Sequence, residues 1–451
     1  MAIKKSNVLE KSKRRRWLSL LIIFVLALAA RTLAVLLHGH PNVVGYSESG
    51  IMARNLAEGR GFTFTLYGTR TDNPLRSFMP PLFPMLIALC LRCFDNPSRA
   101  LELIQALLSS LTAAFLYFIA LKLSSRRIVA FMAALGASLY PVFIVMSAFP
   151  PSLTLNSFLL ALFLLLGLVS RDRMTALPAA FAGFILGLLL LTRPMALGFL
   201  PIMLGWLWLN APESKAKLVR MGAILTACAV LTIVPWTVRN YLIHKQFVLV
   251  STNGGFNFWT GNNPFTIGSG HEVFSKLADQ FQGIPHDSRQ PEIVDRRPYP
   301  LPREIEDQLG TIDEVSLNRM LYQAGLQFIR DDPRRWLELA REKLKGFWWF
   351  RTNVGNKYEA SWTRWYELVY APLLLLMIAG LLFSLRRWRS YSLIYLLFAY
   401  YTLVYVTFHV QTRFRWEIEP YFLVLAAETV SCVSERIRTR GQARVDATTS
   451  K

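Results

Sequence analysis

Ten stretches of about 20 mostly apolar residues constrain this chain more than any other feature. They lie at 17–37, 98–121, 128–146, 152–169, 174–191, 194–209, 218–236, 366–385, 391–408 and 416–434. About 20 residues at 1.5 Å each cross the ~30 Å hydrocarbon core of a bilayer. A spanning segment must satisfy its own backbone in lipid, so an open sheet is excluded and these runs are expected to be helices. The expected fold is an all-α polytopic membrane protein with about ten spans.

The chain carries a net charge of +21. Such a balance points to nucleic acid or to a membrane, and its distribution decides between them. With the N-terminus inside, the inner segments are 1–16, 122–127, 170–173, 210–220, 385–390 and 435–451. They hold 23 Lys and Arg against 5 Asp and Glu, a net of +18, which leaves +3 for everything else. The charge is therefore a topology signal, and nucleic-acid binding is set aside. Both termini are expected in the cytoplasm, in a bacterial inner (plasma) membrane.

Lys13 to Trp17, followed by an apolar run with Ala27 and Ala29, has the look of a secretory signal. The run continues through Arg31 to Leu37, which favours a retained helix. Cys228 and Cys432 lie in apolar runs, and Cys90 and Cys93 form one CxxC without a second pair. Neither metal nor redox chemistry is read from them.

The expected organisation is an N-terminal membrane region, 1–242, with a first outer loop at 38–97. A large extracytoplasmic loop at 243–365 follows, then a C-terminal membrane region and tail at 366–451. PPLFPMLIALCLRCF at 80–94 is short for a span and reads as an interfacial helix. The large loop opens with STNGGFNFWTGNNP, whose Gly and Asn predict tight turns and short extended pieces. Leu317, Leu321, Ala324 and Phe328 then repeat with helical spacing, and Asp331–Asp332–Pro333 ends that helix and starts another. Phe347, Trp348, Trp349, Phe350, Trp362 and Trp365 before a span read as an interfacial belt.

The unusual polar residues collect on the outer side. Glu48 is the one acid in GYSESGIMARNL at 45–56. A carboxylate beside a partly dry cleft can have its pKa raised enough to act as a general base. At a helix start it equally well meets only solvent and the helix dipole. Asp72, in Asp-Asn-Pro, is a second candidate acid or a turn former. Arg413 and Arg415 precede the last run, and guanidinium groups there can hold a phosphate or snorkel to the interface. Arg193, in LTRPM, and Arg239, after Pro235–Trp236, are candidates for the same phosphate. His38 and His40 lack partnered acids, so no cofactor is assigned and a divalent metal stays open; His409 is unassigned.

The order of these pieces is an acid in the first loop, MARNLAEGRGF, MPPLFPMLIAL, LLTRPMALGFLP, VPWTVRNY, STNGGFNFWTGNNP and RFRWEIEP. It resembles the GT-C superfamily of integral membrane glycosyltransferases. The likeness is greatest to the bacterial branch related to protein O-mannosyltransferases and the lipid A aminoarabinose transferase, and it covers most of the chain. The resemblance implies a sugar donor on a polyprenyl phosphate, a lipid, glycan or protein acceptor reached from outside, and inverting transfer. In that pattern Glu48 and Asp72 are the candidate catalytic acids. Arg413, Arg415, Arg193 and Arg239 are candidate phosphate ligands, and Asn253, Gly254, Gly255, Asn262 and Asn263 form a candidate substrate loop. Gly45, Tyr46 or Ser47 stands where the family carries its first-loop Asp. Two alternatives are a lipid-linked sugar flippase and a catalytically silent relative acting as a scaffold.

Overall fold

The computed structural model describes residues 2–38, 48–66, 74–148, 152–210, 215–266, 293–294, 301–308, 311–349 and 360–449. Each of the ten apolar runs is helical, and the all-α expectation holds. The helices are α1 (Ala2–His38), α2 (Glu48–Ala57), α3 (Leu82–Cys93), α4 (Pro97–Ser124), α5 (Arg127–Leu139), α6 (Pro141–Ser147), α7 (Leu153–Arg173), α8 (Ala176–Leu190), α9 (Phe199–Asn210) and α10 (Lys215–His244). They continue as α11 (Gly254–Gly261), α12 (Arg303–Glu306), α13 (Glu314–Asp331), α14 (Pro333–Trp348), α15 (Ala360–Ser384), α16 (Trp388–Thr407) and α17 (Glu419–Thr449). The strand content described is one parallel pairing of Thr65–Leu66 with Ile293–Val294.

Ten separate spans are not established. Among the described residues five helical stretches are long and apolar enough to cross a membrane, or six if the bent pair α5–α6 is one span. Two expected runs, 366–385 and 391–408, fall in a single qualifying stretch, Arg364–Thr407. The helices at 176–190 and 194–210 are shorter than a span. The run at 416–434 opens α17, which continues through the basic tail to Thr449.

The main apolar cluster joins α1, α4, α5, α7, α8, α9, α16 and α17, and two smaller ones lie around Phe64 and Trp236 and around Trp259 and Leu321. Small residues let backbones approach. A Cβ on Gly183 would lie 2.1 Å from the Leu225 carbonyl, where α8 crosses α10.

Arg31, two turns before the end of α1, explains how a broken helix survives here. α5 and α6 meet at a 50° bend. Pro141 has no N–H, so the Ala137 carbonyl loses its helical donor, and the bend deprives Ser138 as well. Arg31 is fully buried and supplies both: Nη2 donates to Ala137 O at 2.9 Å and Nη1 to Ser138 O at 3.0 Å. Its Nε donates to Ser109 Oγ at 2.7 Å. Arg31→Met would orphan these acceptors at ~1–3 kcal/mol each. The expected result is a clearly lower melting temperature in detergent. An unchanged melting curve would refute this account of the bend.

Candidate functional site

Helix α2 begins at Glu48, which is partly exposed in its first turn, and Ser49 to Ala53 behind it are buried. α2 packs on α3. The first residue of α3, Leu82, donates its N–H to Leu191 O at 3.0 Å. The first-loop helices are thereby stitched to the chain two residues before Arg193.

Arg193 reaches into the bundle. Its Nη1 donates to Tyr405 OH at 2.8 Å and lies 3.1 Å from Glu417 Oε1. Glu417 is fully buried, and its Oε2 accepts from Asn156 Nδ2 at 2.6 Å and Tyr401 OH at 2.7 Å. The Arg193 guanidinium sits 5.4 Å from the Phe414 ring, and that of Arg413 sits 5.8 Å from the same ring. His409 packs edge-on against Phe414 at 5.3 Å. Two of the four predicted arginines are thus gathered beside a histidine that the sequence left unassigned.

Arg415 points elsewhere. It is fully buried, with Nε on Glu419 Oε1 at 2.9 Å, Nη1 on Phe347 O at 2.8 Å and Nη2 on Tyr366 OH at 2.7 Å. Its guanidinium also stacks 3.6 Å from the Tyr370 ring centre. The short 3₁₀ helix Thr412–Glu417 accounts for the split between Arg413 and Arg415.

Arg239 holds the first loop at Arg76 and Ser77. Its Nη1 donates to Arg76 O at 2.7 Å, Ser77 Oγ at 2.9 Å and Asn240 Oδ1 at 3.0 Å, and its plane lies 4.4 Å over Trp236. Glu314, at the head of α13, accepts the backbone N–H of Arg76 at 2.7 Å and of Ser77 at 3.0 Å, along with the Thr252 hydroxyl. This buried carboxylate ties the large loop to the first loop across 237 residues of sequence.

The Gly- and Asn-rich stretch is not the series of turns expected of it. Gly254–Gly261 forms helix α11, pressed against α13. Glycine is required because a Cβ on Gly255 would lie 2.0 Å from Asn318 O, and one on Gly261 1.8 Å from Phe408 O. Gly254 faces the Tyr322 hydroxyl in the same way. Asn253 accepts from Ser251 Oγ at 2.9 Å. Asn262 donates to Phe258 O and Thr407 O, both at 2.8 Å, and Asn263 donates to Trp259 O at 2.8 Å. Asn262 Oδ1 accepts from Lys343 Nζ at 3.0 Å.

The helices expected at 317–328 and beyond Asp332 are present as α13 and α14, and Asp332 caps α14 by accepting from Arg335 N at 2.9 Å. The aromatic belt is divided. Phe347 is buried and stacks on Tyr405, and Trp348 stacks on Phe422, whereas Trp349 and Trp365 are exposed. Asp72 and His40 lie outside the described residues. Among the described residues no three His, Cys, Asp or Glu side chains gather as metal ligands would.

Three groups were missed from sequence. Glu419 stands four residues after Arg415, a readable ion-pair spacing. Lys343 falls between Leu339 and Phe347 on the apolar face of α14, which marks it as buried. Glu314 had no local signal.

Residues 79–238 match the model of the dolichyl-phosphate-mannose-protein mannosyltransferase family. No curated protein matches the chain. The fold is similar to the oligosaccharyltransferase AglB of Archaeoglobus fulgidus, solved with an inhibitory peptide and a dolichol-phosphate. That match has a TM-score of 0.57 and 14% identity over 97% of this chain and 52% of that one. The same organism's oligosaccharyltransferase with Zn and sulfate aligns at a TM-score of 0.55 and 14% identity, over 94% of this chain and 50% of that one. ArnT from Cupriavidus metallidurans, bound to undecaprenyl phosphate, aligns at 0.43 and 14%, over 91% of this chain and 77% of that one. The chain spans about half the length of the oligosaccharyltransferases it matches. The class defined here is an all-α integral membrane protein whose fold is similar to that of these oligosaccharyltransferases. Its resemblance to the O-mannosyltransferase branch, expected from the order of its motifs, is borne out.

Proposed function

We propose that the protein is an inverting glycosyltransferase. It moves a sugar from a polyprenyl-phosphate donor to an acceptor at the outer face of the membrane. The observation that carries this reading is the convergence of Arg193 and Arg413 on Phe414 beside His409. Cations fixed in a partly dry site are what a departing lipid phosphate requires. The family match at 79–238 and the dolichol-phosphate held by AglB, whose fold is similar, support it.

In this mechanism Glu48 takes the proton of the acceptor hydroxyl as its oxygen attacks the anomeric carbon. The bond from that carbon to the phosphate oxygen breaks, and the phosphate leaves with the electron pair toward Arg193 and Arg413. Asp72 is the second candidate for the base. Arg415 and Arg239 hold the site's backbone in place, and residues 253–263 support it from the large loop. An apolar groove of about 840 Å³, lined by Leu337, Leu344 and Trp348 of α14 and by Phe398, Thr402 and Leu403 of α16, accommodates the lipid tail.

The purified protein is expected to release free polyprenyl phosphate from a donor labelled in the sugar, in an acceptor-dependent way. Lipid movement across a vesicle without bond cleavage would favour the flippase, and neither activity would favour the scaffold. Orientation has its own test. The +18 against +3 charge split puts residues 243–365 outside, so alkaline phosphatase fused at residue 290 should be active. Activity of a cytoplasm-only fluorescent reporter at that position would reject both the orientation and the outer site.

A further inference from the structure

Lys343 is a buried lysine with no carboxylate partner among the described residues. Its side chain is 1% exposed, and its one hydrogen bond among the described residues runs to Asn262 Oδ1 at 3.0 Å. Asn262 cannot turn away, because its amide nitrogen is held by Phe258 O and Thr407 O. An ammonium has three donors, so this arrangement leaves capacity for an acceptor. An uncompensated cation in such a place is costly.

The neighbours of Lys343 show what would relieve that cost. Asn262 follows Gly261, which lies against the Phe408 carbonyl at a distance that forbids any side chain. The next residue, His409, places Nδ1 3.2 Å from Asn257 O on the same helix α11, and its ring meets Phe414. Phe414 is flanked by Arg193 and Arg413. Lys343 therefore approaches from the large-loop side the same point that the two arginines reach from the membrane bundle. We propose that Lys343 is a third ligand of the lipid phosphate, and that it takes up a proton when the phosphate binds. This rests on the glycosyl-transfer reading above.

The electrostatic setting fits. Burial pushes the Lys343 ammonium down to about 7. His409 is pushed down to about 4, first by burial and then by Lys343, Arg413 and Arg193, so it is neutral at pH 6–8. From the elements packed on α14, Glu417 is committed to Arg193, Arg415 to Glu419, and Asp331 to Gln327. On α14 itself, Glu342 pairs with Lys345. A phosphate beside Lys343 favours the charged form and raises its pKa. The sign follows: affinity is greatest below pH 7 and falls as pH rises above it, by at most about tenfold per unit for one proton.

The test is titration calorimetry of the full-length protein with a polyprenyl phosphate in detergent, at pH 7.5, in two buffers of different ionisation enthalpy. The lipid phosphate itself titrates near pH 6, so the decisive quantity is the difference between wild type and Lys343→Met. Wild type should take up more protons than the variant and bind ~10–100-fold more tightly at pH 6.5. Lys343→Arg should bind with the pH dependence flattened. Equal proton uptake and affinity in wild type and Lys343→Met would overturn the role of Lys343 and leave the function standing. Absence of binding by wild type would overturn both. Should the methionine variant fail to fold, the comparison is made with Lys343→Arg, which is already charged, and proton uptake in that variant equal to wild type rejects the proposal.

Discussion

Glu48→Gln is expected to express and insert normally and to lower turnover by ~10²–10⁴-fold, the usual range for losing a general base. A carboxylate that only meets solvent becomes an amide at little cost. A base does not, because the amide has no site basic enough to accept the hydroxyl proton. Glu48 is partly exposed in the first turn of α2, and the helix is held by the buried residues behind it. Glu48→Asp keeps the charge and withdraws the oxygens by one methylene, so a positioned base loses much of its rate here too. Single-turnover transfer from a labelled donor is the measurement. Near-native transfer by Glu48→Gln would remove it from the mechanism and put Asp72 forward. If Glu48 replaces the Asp that relatives carry nearby, restoring an acid at Gly45 or Ser47 should partly rescue the amide variant.

The second large effect concerns Arg415 and is one of stability. Arg415→Ala leaves Glu419 buried without its guanidinium partner, in a cage with Tyr140 and Tyr366. Breaking one side of a buried pair costs ~3–5 kcal/mol. The variant should therefore melt far below wild type or fail to accumulate. Arg415→Lys should also destabilise, because an ammonium cannot reach Glu419, Phe347 O and Tyr366 together. Arg413→Ala should instead melt like wild type and bind a polyprenyl phosphate more weakly, by ~1.5–3 kcal/mol. A stable Arg415→Ala with lowered phosphate affinity would return Arg415 to the donor site.

These contrasts show where the sequence could be read and where it could not. The helices of the bundle were legible because lipid permits little else for an apolar run. α13 and α14 were legible from spacing and from the Asp-Pro cap. α11 was misread because Gly and Asn carry turn propensity, while its glycines are there for contact with Asn318 and Phe408, a tertiary demand with no local signature. The arginines were singled out by type. Their division of labour depends on a 3₁₀ turn that sends Arg413 and Arg415 in different directions. Glu314 could not be found at all, since its partners Arg76 and Ser77 are remote in the chain.

The contact of Gly261 with Phe408 has a mechanical consequence. The end of α11 and the turn that carries His409 touch backbone to backbone, with no side chain between them to absorb a displacement. They are joined again by Asn262 on Thr407 O and His409 on Asn257 O. A compliant joint would let the large loop lift while that turn stayed still. This joint is stiff, so a load on α11 is transmitted to the turn that leads to Arg413. The large loop and the turn that leads to Arg413 are therefore geared together, and freedom for one has to be freedom for both.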